Sequence, residues 1–396
     1  MLNPRNLSVL VLLGSATFAG AWNFTFLAPI LHEVASGTGV SVSAAGQLVT
    51  VSAGVTVLAL ILFGPLSDRY GRRTMLALGL AAMSAAAFGS SMTSSYGLLM
   101  ALRVVSGIGD ALVIPSAAAA AADYFEGKDR EVALNVLVVP MGAAAVLGLP
   151  AVVLITEAAG WHAAFLAFGL VNLAFALAAI RLLPFAAPPA PSGTLSQHYH
   201  NAYGEVVGSS SALLVLMAAI LGAAVWNGMV TYAGAFFEDE ANVERSGLSL
   251  LFGGLGLAYV LGAAAGISLA RRVEPRVIAF WSAVAGAIFL PMMTGFSALA
   301  PLAVLFGLLF AAFRAPGIAA LNNMLLDMAP GSRGTAISVY GVVAAGGAVI
   351  GAATGGSALE VGGYMGMASL FSVFAVAGAL ILLRRESAPA VSRVSA

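Results

Sequence analysis

The chain has 396 residues, 60% of them hydrophobic and 9% charged, with a mean hydropathy of +0.99 and no net charge. A soluble protein carries roughly 25% charged residues, so this composition belongs in a lipid bilayer. The balanced charge argues against a nucleic-acid partner, and the lack of cysteine excludes disulfides, thiolate chemistry and Cys-ligated metals.

The first apolar run begins near Leu7 after a single arginine. It is too long for a secretory signal peptide and is read as a retained helix. Apolar runs of about 20 residues then recur between short polar breaks, as membrane-spanning helices require. They predict helices near 7–31, 44–66, 74–93, 97–121, 132–156 and 164–183, then near 212–236, 249–270, 277–295, 300–325, 335–357 and 365–383. The expected fold is an all-α polytopic membrane protein of twelve helices in two six-helix bundles, 1–183 and 212–396. Residues 184–211 between them carry Pro184, Pro188, Pro189 and Pro191, then Gly and Ser, which is a linker composition. His198 and His200 in that linker lack a third ligand and are read as solvated.

Placing both termini in the cytoplasm puts every basic residue outside the spans on that side, apart from Arg245. Arg103, Asp110 and Arg314 are then the ionisable groups deep within spans. Charges in a bilayer are costly to keep, so they are read as functional by default, against the alternative of an ion pair that fixes helix packing. Arg103 and Asp110 are seven residues apart and project from one helical face about 10 Å from each other. Asp110 and Arg314 lie at nearly equal depth, roughly 20 Å in.

The two halves repeat one another. Trp22-Asn23 recurs as Trp226-Asn227 at an offset of 204, and Asp123 as Asp327 at the same offset. Gly64 and Arg69 answer to Gly266 and Arg271 at an offset of 202, with Ala270 standing where the first copy has Asp68. A constant spacing across unrelated motifs argues for a duplicated six-helix unit. The paired Trp-Asn groups suit a ligand with a flat or sugar-like face and some polar groups. Hydrogen bonding between helices is the other reading. The glycines of helices 8 and 11 stand in apolar spans with no strand before them, so they mark close helix packing, not nucleotide loops.

Gly64-Pro65-Leu66-Ser67-Asp68-Arg69-Tyr70-Gly71-Arg72-Arg73 joins the second and third spans. Such a charge cluster belongs in water at the membrane surface, since each charge would cost ~2.5–3.5 kcal/mol at the bilayer centre. The stretch fills every fixed position of the pattern G-x-x-x-D-R-x-G-R-R and resembles the helix 2–3 loop of the major facilitator superfamily. Leu102-Arg103-x-x-x-Gly107 is similar to that superfamily's intramembrane arginine motif. Gly142 and Val146-Leu147-Gly148-Leu149-Pro150 resemble the helix 5 antiporter motif of its drug:proton antiporter, arabinose-efflux-permease-like group, with the usual Gly-Pro pair split. Arg333-Gly334-Thr335-Ala336 also matches that group. The chain departs from it in having no acid in helix 1 around Trp22–Phe26.

The resemblance implies a secondary transporter working by alternating access. It places helices 1, 4, 7 and 10 around a central cavity, where Asp110 and Arg314 are expected to face each other. It implies a gate formed by Gly64, Asp68, Arg69, Gly71, Arg72, Arg73, Gly148, Pro150, Arg333, Gly334 and Thr335, with Asp68 facing the start of helix 11. Trp22, Asn23, Trp226, Asn227 and Arg314 are then the candidate substrate-binding residues, and Asp110 with Arg103 the candidate proton-coupling pair. Arg103 or Arg314 could set the protonation of Asp110 by approaching or leaving it.

The expected function is proton-coupled efflux of a small organic compound by a monomer in a bacterial inner membrane, without cofactor, metal or enzymatic activity. Uptake or exchange of an organic anion is the alternative within the class, and a non-transporting sensor the alternative outside it. The orientation can be tested directly because the chain has no native thiol. Cysteine placed at Ser246 is expected to react with an impermeant thiol reagent from outside intact cells, and cysteine at Ser192 is not. The opposite labelling would overturn the orientation.

Overall fold

The computed structural model describes residues 4–63, 71–125, 133, 137–183, 210–328 and 333–383. Water is absent from the bilayer interior, so each spanning segment must satisfy its own backbone hydrogen bonds, and helices do this. The elements are α1 (Pro4–Thr25), α2 (Leu31–Thr38), α3 (Val42–Phe63), α4 (Arg72–Ser91), α5 (Tyr96–Tyr124), α6 (Val138–Ala143) and α7 (Leu149–Ala159), followed by α8 (Trp161–Leu182). The second half contains α9 (Ser210–Asp239), α10 (Arg245–Leu269), α11 (Pro275–Gly295), α12 (Ala300–Met328) and α13 (Arg333–Leu383). No strand occurs among the described residues.

Ten helices among the described residues are long and apolar enough to cross a membrane. One of them breaks at Gly363, where φ is +62°. A side chain is strained at such an angle, and glycine is not. The chain doubles back there, since Gly366 lies against Ala358 and Phe371 against Gly355, so α13 makes two passes. The α6–α7 stretch adds another and brings the passes to the expected twelve. Both described ends, Pro4 and Leu383, thus lie at one face, the terminal face. The opposite, distal face carries α2 and the α9–α10 turn.

Two elements depart from the sequence reading. The first span ends at Thr25; a 3₁₀ turn at Ala28–Ile30, carrying Pro29, then leads into the additional helix α2 along the distal face. The fifth span is not one continuous helix, because a π-helical turn, Ala144–Gly148, separates α6 from α7. Pro150 in the first turn of α7 has no N–H to give, and its ring would crowd the carbonyl four residues earlier. A widened turn before it relieves that clash. The expected linker lies outside the described residues except at its end, where α9 already begins at Ser210.

One apolar core is drawn from residues between Val9 and Leu183. A second combines the distal segment Ala28–Ala45, Leu149 and Val153 with α9–α13 residues such as Tyr232, Phe252 and Phe371. Large apolar side chains including Leu62, Leu170, Leu261, Ile267, Trp281 and Val373 remain exposed, as lipid-facing surfaces require.

The spans approach closely through glycine. A Cβ on Gly107 would come within 2.5 Å of the Ser52 carbonyl oxygen, one on Gly351 within 2.2 Å of Ala224 O, and one on Gly262 within 2.0 Å of Ala312 O. The obstacle in each case is backbone, which cannot step aside as a side chain could. Gly262→Ala is therefore expected to destabilise by about 1–3 kcal/mol through overpacking, lowering the thermal midpoint in detergent. Gly341→Ala adds a methyl where nothing lies within 4 Å, and is expected to leave the midpoint unchanged or slightly raised.

Candidate functional site

Asn23 of α1 meets Ser106 and Asp110, which share one face of α5 at i and i+4 spacing. All three are buried. Ser106 Oγ donates to Asn23 Oδ1 at 3.0 Å. That bond fixes the amide, leaving its NH₂ as the donor to the Asp110 carboxylate. The other carboxylate oxygen, Asp110 Oδ1, is buried without a hydrogen-bond partner and lies 3.5 Å from where a Cβ on Gly20 would be. The site is thus a polarised chain, hydroxyl to amide to carboxylate, ending on one open oxygen. Ser106 was not read from the sequence. Its signal, a serine one turn before the buried acid, is weak without knowing that Asn23 faces it.

Arg103 is held away from this chain. Its Nη2 donates to Ser90 Oγ at 3.4 Å, and its guanidinium lies 5.2 Å from the centre of the Phe165 ring. Trp22 is also occupied with packing, at 5.1 Å from Phe168 between Phe18 and Phe26. It is 6% exposed, and its indole N–H has no hydrogen-bond partner. Gly148 makes room for it, because a Cβ there would lie 2.7 Å from the indole.

In the second half Trp226 is only half-buried and tilts onto Tyr259 at 5.1 Å and Phe310 at 5.7 Å. Arg314, one turn beyond Phe310 on α12, is buried with its guanidinium against Gly222 of α9. Asn227 donates to the carbonyls of Ala223 at 2.9 Å and Ala344 at 3.4 Å, so it ties α9 to α13. The repeat puts Arg314 at an offset of 204 from Asp110, the offset that relates Asn23 to Asn227. Equivalent positions therefore carry opposite charges. The structure does not bring the two together: Asp110 is engaged with α1, and Arg314 packs among α9, α11 and α12.

Of the expected gate, Gly64, Asp68 and Arg69 lie outside the described residues, so the approach of Asp68 to helix 11 does too. Arg333, Gly334 and Thr335 form the first turn of α13, and their side chains lie outside the description. Gly71 (φ +85°) turns the chain into α4. Arg72 Nε contacts Asp123 Oδ2 at 3.0 Å, joining the start of α4 to the end of α5. Arg73 donates to the carbonyl of Ile180, and Arg276 donates likewise to that of Leu382. Those residues correspond at offsets of 203 and 202, adding to the repeat an arginine-to-carbonyl tie that the sequence alone did not disclose.

The two halves meet through α3 with α13 and through α6–α7 with α10. Gly256 lies against the Ala145 backbone and Gly253 against Pro150. At the distal face, Tyr232 of α9 donates to Ala352 O at 2.7 Å, and its hydroxyl fits where Gly46 and Gly356 lack a Cβ. His32 of α2 lies 3.0 Å from Asp239 at the end of α9, and Tyr364 donates to the same carboxylate at 2.9 Å. These contacts close the distal face. The sequence reading did not disclose them, since His32, Asp239 and Tyr364 lie far apart along the chain.

The sequence profile of the Major Facilitator Superfamily matches residues 13–267. The chain belongs to that superfamily. It is 30% identical over 297 residues to a chloramphenicol resistance protein of Streptomyces lividans, covering 74% of this chain and 73% of that one. The fold resembles the crystal structure of a D-xylose-proton symporter with a TM-score of 0.79, at 15% identity, over 96% of this chain and 97% of that one. It also resembles a bacterial homologue of the human lysosomal transporter Spinster in an inward-facing, unoccupied conformation, with a TM-score of 0.73 and 17% identity, over 96% and 97% of the two chains. The protein is accordingly an integral membrane transporter and not an enzyme.

Asp239 is shared by partners from both sides of the distal closure. Asp239→Asn is expected to weaken it and to raise the reactivity of a cysteine placed at the buried Ser43 toward an impermeant reagent several-fold. Unchanged reactivity would show that the carboxylate does not hold the face shut.

Proposed function

We propose that this superfamily member couples the export of a small organic compound to protons, with Asp110 as the coupling group. The observation that carries the reading is the chain from Ser106 through Asn23 to Asp110, which ends on a buried carboxylate oxygen open to a proton. Helix 1 has no acid of its own, so Asp110 takes that part from α5. Asn23, first read as a substrate ligand, acts on this reading as the positioning residue that holds the carboxylate. The name of the Streptomyces lividans relative supports export of a drug-like compound.

Residues 1–183 and 212–396 act as the two moving halves, joined by 184–211, with both termini in the cytoplasm of a bacterial cell. The distal face is then the outer one, and its closure corresponds to an inward-facing state. Trp226, Tyr259 and Phe310 present the flat surface against which a substrate ring would stack, beside the cation of Arg314. Alternating access follows if the Tyr232 and His32–Asp239 contacts open as contacts at the terminal face form.

The test is transport in proteoliposomes. Asp110→Asn is expected to abolish accumulation driven by a pH gradient while retaining substrate exchange at fixed pH. Asn23→Ala is expected to keep coupling but displace its pH profile, because the carboxylate loses its fixed donor. A gradient built by Asp110→Asn at the wild-type level would rule Asp110 out as the coupling site. Uptake or exchange of an organic anion, which Arg314 favours, would instead show as anion counterflow in the wild type with no accumulation driven by a pH gradient.

A further inference from the structure

His32 of α2, Asp239 at the end of α9 and Tyr364 of α13 meet across the two halves at the distal face. His32 Nδ1 lies 3.0 Å from Asp239 Oδ1, and the Tyr364 hydroxyl donates to Oδ2 at 2.9 Å. Each carboxylate oxygen is thus engaged by a side chain from a different half. His32 Nδ1 is shielded from solvent and has no hydrogen-bond partner, so its contact with Oδ1 is held by charge and not by an aligned hydrogen bond. The two side chains nonetheless keep 31% and 32% of their surfaces exposed, which gives protons from the distal solution access to the pair. The charged surroundings are mostly acidic. Glu33 follows His32 on α2, Glu238 and Glu240 flank Asp239, and Glu360 stands one turn before Tyr364. Neither the turn Ala28–Ile30 nor α3, both packed on α2, carries an ionisable residue. Toward α8, Gly37 packs on Trp161, next to which His162 contacts Ser94 at 3.2 Å, and Glu157 at the end of α7 is exposed. Glu244 and Arg245 open α10 beyond the turn that follows Asp239.

We propose that His32 is a pH sensor that closes the distal face as the solution there turns acidic. Such a sensor rests on the alternating-access reading but is independent of the role given to Asp110. A neutral imidazole carries one proton, and with that proton on Nε2 its Nδ1 lone pair faces the carboxylate and is repelled. The imidazolium always has a proton on Nδ1 and adds a full opposite charge. A closed face therefore holds the proton more tightly than an open one, in which His32 and Asp239 are apart. By linkage, protonation favours closure: the effect is present at pH values below the histidine range and is lost as pH rises through it. A tyrosine hydroxyl keeps its proton throughout that range, so Tyr364 steadies the carboxylate while His32 decides the charge opposite it. With the distal face outward, an acidic exterior holds the transporter inward-facing and so brakes the entry of protons from that side.

The sensor can be read from conformation alone, without transport. Cysteines replacing Ser95 and Ala298, which are exposed on the distal face in opposite halves, take spin labels in the otherwise cysteine-free chain. Pulsed electron resonance on the full-length protein in detergent gives their distance distribution between about pH 8 and about pH 5. An Asp110→Asn background removes any contribution from that carboxylate. The ratio of the short-distance, closed population to the long-distance one is expected to rise about threefold on acidification. His32→Gln keeps a hydrogen-bond donor but cannot charge, and is expected to show no such rise. Asp239→Asn removes the anion and is expected to abolish the same rise, which reports on the pair even if the histidine variant proves unstable. A ratio that ignores pH, that falls on acidification, or that rises equally in His32→Gln or Asp239→Asn would overturn the sensor and leave coupling at Asp110 untouched. A single distance at every pH and in every variant would overturn the alternating-access reading together with the sensor.

Discussion

A polar group inside a bilayer has no solvent to fall back on, and the internal organisation of this transporter follows from how each such group is satisfied. Backbone groups close on themselves in helices. Threonine and serine hydroxyls such as Thr17, Thr25 and Ser90 return to carbonyls a turn earlier on their own helix. Arg103 is covered by a serine and an aromatic ring, and Asp110 by an amide that a serine holds in place. Among the buried groups that remain without a hydrogen-bond partner are one oxygen of Asp110 and the hydroxyl of Ser282. Both lie on or beside the first and fourth helices of a repeat, where the fold would need groups that change partners.

The duplication gives this arrangement its asymmetry. Asn23 and Asn227 occupy equivalent places, as do Asp110 and Arg314, yet their partners differ. The first asparagine serves the acid, whereas the second ties α9 to the backbone of α13. Trp22 is lost into the packing of its half, and Trp226 stays half-open on an aromatic surface. On the proposed function, one half is suited to handling a proton and the other to presenting a ring surface and a fixed positive charge. The structural ties have diverged less, since Arg73 and Arg276 still cap equivalent carbonyls.

Much of the fold was legible because apolar runs obey rules of length that need no tertiary knowledge. The breaks were harder to read. Gly363 reverses the chain as expected, but α2 and the π turn arise from Pro29 and Pro150 acting on neighbouring backbone, which hydropathy does not register. That Asp110 and Arg314 are buried within helices was also legible, but not their separation, because sequence fixes position along a helix far better than the direction in which a side chain is finally engaged. Distal residues such as His32, Asp239 and Tyr364 come together from three separate helices, and no local pattern announces that. Of the glycines read as packing residues, Gly262 and Gly351 face backbone, whereas Gly341 has nothing within 4 Å.

The π turn has an evolutionary consequence. A π turn holds one residue more than an α turn, so everything beyond it is rotated by about 100° relative to an unbroken helix. The fifth span thus points one phase toward its neighbours before Ala144 and another after Gly148, where Trp22 and α10 both press on it. Removing a single residue there would restore the ladder and swing the whole distal end of the span to a new set of contacts. A point substitution alters one side chain, whereas this position lets a one-residue deletion reassign a face. Specificity in a lineage built on this scaffold could in that way change in discrete steps.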